Sequence, residues 1–341
     1  MENNTNISSN KPVDKTLLAA IDLGSNSFRL EIGRLDSGHI QRIEYLKEAV
    51  RQGGDLDEDR NLTPEAIDRG IRCLARFGER LQGFDASRVR AVATQTLREA
   101  NNRDVFIKLA KKALGFDVEV ISGVEEARLI YQGVSRFLPQ SNERRLVIDI
   151  GGRSTEFILG QGFTSQHTAS LHVGSVAWSL KHFRTGDYTE KAFTRAKVAA
   201  ESIFETLGVN FNHEQWDVAY GASGTVGAVA DILVQYGRPI NTVTKEGLYW
   251  LREELLRTKH IDKLRLLGLK EDRKPVIAGG LSILIAIFDF LNIESLNVAQ
   301  GALRHGLLYD MLARDNEMID LRNASVQRLA CLLYTSPSPR D

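Results

Sequence analysis

Three short stretches carry residue types suited to phosphate: Asp22-Leu-Gly-Ser-Asn-Ser27, Asp149-Ile-Gly-Gly-Arg-Ser-Thr-Glu156 and Gly221-Ala-Ser-Gly-Thr225. Small residues let the backbone come close, hydroxyls donate, and the N–H groups of a loop or helix start can point at an anion. The candidate phosphate ligands are Ser25, Asn26 and Ser27 in the first loop and Gly151, Gly152, Arg153, Ser154 and Thr155 in the second. Gly221, Ser223, Gly224 and Thr225 supply the third. Any one of these loops is also what a plain turn looks like. Three in one chain favour phosphate. None reads Gly-x4-Gly-Lys-Ser/Thr, so no P-loop lysine is available to hold a nucleotide.

The acids come next. Asp22 and Asp149 close apolar runs, where a carboxylate is costly unless paired, hydrogen-bonded or bound to metal. Glu156 follows Asp149 across the turn, so both could face one ion. Oxygen ligands beside phosphate loops suit Mg²⁺, which keeps several waters and takes one or two carboxylates. The alternative is that each acid only fixes its own loop through backbone N–H groups. In Ser122-Gly-Val-Glu-Glu126, Ser122 and Glu125 have the spacing of a capping box. That gives Glu125 a structural task and leaves Glu126 without one. Glu126 is then either a solvated first-turn acid or a general base beside the phosphate loops. Arg29, Arg98, Arg153 and Arg304 flank these features and could neutralise a phosphate chain.

Other chemistries fall away. The seven histidines show no metal-ligand spacing, and no Gly-x-Ser-x-Gly nucleophile motif occurs. Two cysteines, Cys73 and Cys331, make neither a disulfide framework nor a cysteine-rich metal site. Forty-four basic residues balance 44 acidic ones, and aromatic residues are scattered. Neither a basic excess nor a stacking platform supports a nucleic-acid partner. The polar first fifteen residues are no signal peptide, and Leu281–Leu291 is too short to span a bilayer. The expectation is a cytoplasmic protein without membrane insertion, its start disordered over residues 1–14.

The elements that must position these residues alternate. Leu17–Asp22 and Phe28–Gly33 read as strands, and Thr63-Pro64 opens a helix with Ile67, Ile71, Leu74 and Phe77 on one face. Val89–Ala93 and Val118–Ile121 read as strands around a helix over Val105–Leu114. Further on, strands are expected at Trp216–Ala222, Val276–Ala278 and Leu296–Ala299. Each of the three runs into small residues and a helix start, the last helix ending near Leu312. That alternation predicts an α/β fold. Ile21-Asp-Leu-Gly-Ser-Asn-Ser-Phe-Arg-Leu-Glu-Ile-Gly33 also matches Ile148-Asp-Ile-Gly-Gly-Arg-Ser-Thr-Glu-Phe-Ile-Leu-Gly160 without a gap. Positions 21 and 148 lie 127 residues apart, about one small domain. Two converged hairpins would explain the match; a duplicated domain, its hairpins facing across a cleft, explains it better. Clefts between domains are where ligands commonly sit.

Six motifs in order, Ala20–Ser27, Ala93–Arg98, Ile121–Ile130, Val147–Glu156, Gly221–Thr225 and Gly301–Arg304, resemble the Ppx/GppA family of exopolyphosphatases and guanosine pentaphosphate phosphohydrolases. The resemblance covers residues 17 to 313. It implies two actin-like, ribonuclease H-like domains of the sugar-kinase and heat-shock-ATPase type, assigned here to 15–135 and 136–313. It implies Mg²⁺-dependent removal of the terminal phosphate of inorganic polyphosphate, with guanosine pentaphosphate as the alternative substrate and K⁺ as a candidate activator. By motif position Glu126 is the catalytic glutamate, and Asp149 and Glu156, joined by Asp22, form the metal and phosphate site. The family loop usually has a small residue where this chain has Arg153. Residues 314–341 read as the start of a helical domain followed by a tail resembling adapter read-through, so the expectation is a shortened chain. A homodimer is a candidate state. Competing classes on the same fold are an ATP-dependent kinase and a non-enzymatic nucleotide sensor.

Overall fold

A computed structural model describes residues 16–36 and 39–314. The expectations for residues 1–14 and for the stretch beyond 314, Cys331 included, lie outside the described residues. The first lobe contains strands β1 (Leu17–Leu23), β2 (Phe28–Asp36), β3 (His39–Glu48), β4 (Val89–Ala93) and β5 (Val118–Val120). Its helices are α1 (Pro64–Arg80), α2 (Gln95–Glu99), α3 (Arg103–Leu114) and α4 (Gly123–Ser135). The second contains β6 (Arg144–Ile150), β7 (Thr155–Gln161), β8 (Thr164–Leu171), β9 (Val218–Ala222), β10 (Thr242–Thr244) and β11 (Ser295–Val298). Its helices are α5 (Ser175–His182), α6 (Glu190–Phe204), α7 (Gly224–Gln235), α8 (Lys245–Thr258) and α9 (Ile277–Phe290), followed by α10 at 303–314.

The strand order is β3-β2-β1-β4-β5 in one sheet and β10-β11-β9-β6-β7-β8 in the other. Apart from the added β10, one order is the other read in reverse: a long antiparallel hairpin and third strand on one side, parallel strands on the other. The duplication expected from the sequence is therefore a duplication of topology. β1 is apolar on both faces because it is central, with β2 on one edge and β4 on the other. Thr63 caps α1, its hydroxyl accepting from Ala66 N, with Pro64 in the first turn.

α4 and α10 lie in the seam between the sheets. Leu129, Ile130 and Val134 of α4 and Leu303, Leu307 and Leu308 of α10 share one core with Leu18 and Ala20 of β1 and Val147 and Ile158 of the second sheet. The two helices approach at backbone distance. A Cβ on Gly306 would stand 1.9 Å from the Leu129 carbonyl oxygen, and one on Gly133 would stand 2.3 Å from Ala302 O.

One element departs from expectation. Val276–Ala278 is not a strand: a 3₁₀ turn over Lys274–Val276 leads directly into α9. Gly279 and Gly280 sit inside that helix, not ahead of it. They are small because neighbours press on them: a Cβ on Gly279 would meet Ser179 Oγ at 2.3 Å, and one on Gly280 would meet Thr225 Cγ2 at 2.5 Å. The buried part of α9 runs from Ile277 to Phe288 and so takes in most of the apolar Leu281–Leu291 run; it packs against α5, α6, α7 and α8. Among the described residues no helix is long and apolar enough to cross a membrane.

Candidate active site

The two hairpins place their turns toward one another. A Cβ on Gly152 would stand 2.8 Å from Ser25 Cβ and 3.4 Å from Asn26 N, so the loops meet almost backbone to backbone. Between them and the start of α7 lies a cleft of about 340 Å³. Ser25, Asn26, Ser27, Arg29, Gly151, Gly152, Ser154, Ser223, Gly224, Thr225 and Arg304 line it, with Asp22, Glu126 and Asp149. Ser27 Oγ and Asn26 Nδ2 are buried without a hydrogen-bond partner, which is costly unless a ligand supplies one. Ser223 holds a positive φ of 101°, a strained conformation for a residue with a Cβ. Its hydroxyl accepts from Thr225 N and Val226 N and so caps α7.

Four expected phosphate ligands are used otherwise. The Arg153 guanidinium bonds Glu99 and Gly53 O and does not line the cleft. Arg98 turns to Glu126, Gln95 and Ile121 O. Thr155 is buried, donating to Val173 O, because alternate residues of β7 face away from the cleft. Gly221 lies within β9, where a Cβ would strike Leu296 and Val226.

The acids differ through their cross-strand partners. Asp22 stands opposite Arg29 and accepts from its Nη1 at 3.0 Å. At the equivalent place in the second hairpin, Asp149 stands opposite another acid, Glu156. Burial pushes the Asp149 carboxyl up to about 6, against the pull of Arg29. Glu156 is raised by burial and by Glu126 and Asp149; it accepts from Ser170 Oγ at 2.9 Å and does not reach the cleft lining. The expected three-acid metal set is thus not gathered. Among the described residues no group of three His, Cys, Asp or Glu has the geometry to hold an ion. Asp149 remains as a cleft-lining carboxylate without a cross-strand cation, a donor that fits Mg²⁺ sharing its other positions with waters and phosphate oxygens.

Glu126 is 7% exposed, not a solvated first-turn acid. Ser122 Oγ accepts from Glu125 N at 3.2 Å, so the cap forms. The Glu125 carboxylate does not close the box but pairs with Arg128. Burial raises the Glu126 carboxyl well above the usual carboxylate range, Arg98 opposes this, and Asp22 and Asp149 add to it.

Sequence reasoning missed Arg273, Lys47 and Lys270, which also line the cleft. Arg273 is 8% exposed and packs against Gly224 at the start of α7. Burial and the neighbouring Arg29 hold its guanidinium below its ordinary value. Lys47 is lowered too, by burial and Arg273, although its ammonium donates to Asp272 at 3.1 Å. Such a cluster of mutually repelling cations is the arrangement that an anion would stabilise.

Residues 32–315 match the family model for the Ppx/GppA phosphatases. Over 305 residues the chain is 41% identical to a Haemophilus influenzae protein whose name places it among exopolyphosphatases, covering 89% of this chain and 94% of that one. It is 43% identical over 300 residues to a guanosine-5'-triphosphate,3'-diphosphate pyrophosphatase of Vibrio atlanticus. That match covers 88% of this chain and 60% of the Vibrio protein. An exopolyphosphatase crystal structure from Cytophaga hutchinsonii superposes with a TM-score of 0.78 at 26% identity, covering 87% of this chain and 98% of that one. The Aquifex aeolicus member of the family gives 0.72 at 25%, covering 88% and 99%. With the duplicated sheet topology, these matches show that the chain belongs to the Ppx/GppA phosphatase family.

Proposed function

We propose that the protein hydrolyses the terminal phosphoanhydride of inorganic polyphosphate. The observation that carries this reading is the cluster of Arg29, Lys47 and Arg273 facing, across one cleft, a buried carboxyl of raised proton affinity. A linear polyanion relieves the mutual repulsion of the cations. Its terminal phosphoryl group lies on the loops at Ser25–Ser27 and Gly151–Ser154 and on the N-terminus of α7. Glu126 accepts a proton from a water molecule as that water's oxygen bonds to the terminal phosphorus. The bridging P–O bond breaks, and its electron pair stays on the shortened chain, where Arg29, Arg273 and Arg304 stabilise it. Mg²⁺, held by Asp149 and phosphate oxygens, would neutralise charge on the transferred group. Positioning and charge neutralisation supply most of the rate in such transfers.

Guanosine pentaphosphate is the second reading, favoured by the Vibrio relative's name and by the cleft's continuation along Gly227, Ala228, Asp231, Gly268 and Lys270. A panel with Mg²⁺ separates the readings by measuring phosphate released from long polyphosphate, guanosine pentaphosphate and ATP. Polyphosphate should give the highest kcat/KM; preference for guanosine pentaphosphate would replace the first reading with the second. Glu126→Gln should lower turnover about 10²–10⁴-fold with the fold intact. Near wild-type turnover in that variant would remove Glu126 from the mechanism.

A further inference from the structure

Arg153 belongs to a second-hairpin loop, yet its side chain ends on the first lobe. Nη1 donates to Gly53 O at 2.6 Å, and Nη2 and Nε donate to Glu99 Oε2 at 2.6 and 3.1 Å. The bonds continue. Glu99 Oε1 accepts from Gln95 Nε2 at 2.7 Å. Gln95 Oε1 accepts from Arg98 Nη2 and Nε at 2.6 and 2.8 Å. Arg98 Nη1 donates to Glu126 Oε2 at 2.8 Å. The chain therefore runs from the second-hairpin loop, through contacts between the lobes beside the cleft, to the Glu126 carboxylate.

Its polarity is fixed. The Gln95 carbonyl is claimed by two guanidinium N–H groups, and its NH₂ by the Glu99 carboxylate. Turning the amide over would face donors with donors and acceptor with acceptor. His172 Nε2, 3.2 Å from Gln95 Nε2, must then accept, which gives the second lobe another hold on the same amide. Gln95 is 2% exposed, so solvent does not replace a lost partner.

We propose that Arg153 is a positioning residue for Glu126, acting through Glu99, Gln95 and Arg98. Without the Arg153 guanidinium, Glu99 becomes a half-buried carboxylate with no cation. Arg98, the preceding residue on α2, is already joined to it through Gln95. Arg98 turning toward Glu99 releases Glu126. The relay couples the loop that receives phosphate to the orientation of the base, so the lobes must be closed for the base to be held. This rests on the reading of Glu126 as the general base.

The test compares Arg153→Ala and Glu99→Gln in the wild-type and Glu126→Gln backgrounds, with Mg²⁺ and long polyphosphate, separating kcat from KM. Glu99→Gln is isosteric and covers the case in which Arg153→Ala does not fold, as judged by circular dichroism. Each variant should lower kcat about tenfold with KM changed less than about twofold, and Arg153→Lys should recover part of the loss. In the Glu126→Gln background the same changes should cost nothing further, because they act through one group. A rise in KM at constant kcat would make Arg153 a phosphate ligand and overturn the relay. Equal fold-losses in both backgrounds would overturn it too, leaving Glu126 as the base. A Glu126→Gln variant with wild-type turnover would sink the base reading and the relay with it.

Discussion

Glu31 is the strongest test of how the cleft is built. It lies on β2, is 1% exposed, and faces three cationic or donor groups. Arg304 Nε donates to Oε2 at 2.9 Å, and Arg42 Nε stands 3.3 Å from Oε1. His305 Nε2 stands 3.2 Å from Oε1. Burial pushes the carboxyl up, but the bonds and charges of His305 and Arg304 outweigh it and hold the group at about 2 against an ordinary 4.5. A folded value below the unfolded one means stabilisation that is fully present above pH ~4.5 and is lost as pH falls toward ~2. The gap corresponds to about 3 kcal/mol. Glu31→Gln removes it, since the amide NH₂ would face either Arg304 or His305 donor to donor. Urea unfolding at pH 7 should show the variant about 3 kcal/mol less stable, within the range for breaking a buried pair. Repeating the titration down to pH 3 should show the two proteins converging, because the wild type alone loses this contribution. A difference under about 1 kcal/mol at pH 7, or one that does not shrink on acidification, would refute the reasoning.

Two further outcomes follow from the same geometry. Arg273→Ala should lower kcat/KM for polyphosphate about 10–150-fold, the range for a charged hydrogen bond, while the melting temperature holds or rises because Lys47 and Arg29 lose a repelling neighbour. A parallel fall in melting temperature and unchanged kcat/KM would make Arg273 structural. Gly306→Ala should destabilise by about 1–3 kcal/mol, since the Leu129 carbonyl it would strike is backbone and cannot turn aside. Equal thermal stability of the two proteins would show that α10 can slide on α4.

The parts of the fold legible in the sequence are those set by local pattern. The continuous apolar runs of β1 and β6, the Thr63-Pro64 start of α1 and the repeated hairpin each reflect a rule acting within a few residues. β3 was not legible: its edge position leaves most of its side chains in solvent, so it lacks the apolar run that marks a strand. Gly279-Gly280 misled for a similar reason. A glycine pair before an apolar run is the signature of a helix start, but here the residues are small to admit Ser179 and Thr225, contacts 100 and 55 positions away in the chain.

The site divides along the same line. Groups fixed to backbone were found, because loop N–H groups and the small residues around them go where the loop goes. Arginines were found only in part: Arg29 and Arg304 line the cleft, whereas Arg98 and Arg153 do not, because a long side chain can end on either side of its own loop. Arg153 sits among phosphate-loop residues and serves Glu99, while Arg273, in no motif, fills the cleft beside Gly224. The repeat itself held one clue. Asp22 faces Arg29 and Asp149 faces Glu156 at matching positions, so duplication kept the acid and exchanged its partner's sign. One carboxylate is thereby neutralised within its own sheet, and the other is left to be neutralised by whatever enters the cleft. Under the proposed function that asymmetry, more than the net charge of zero, couples cation to anion: Asp149 alone is a poor metal site, and the cation cluster alone is a repulsive one.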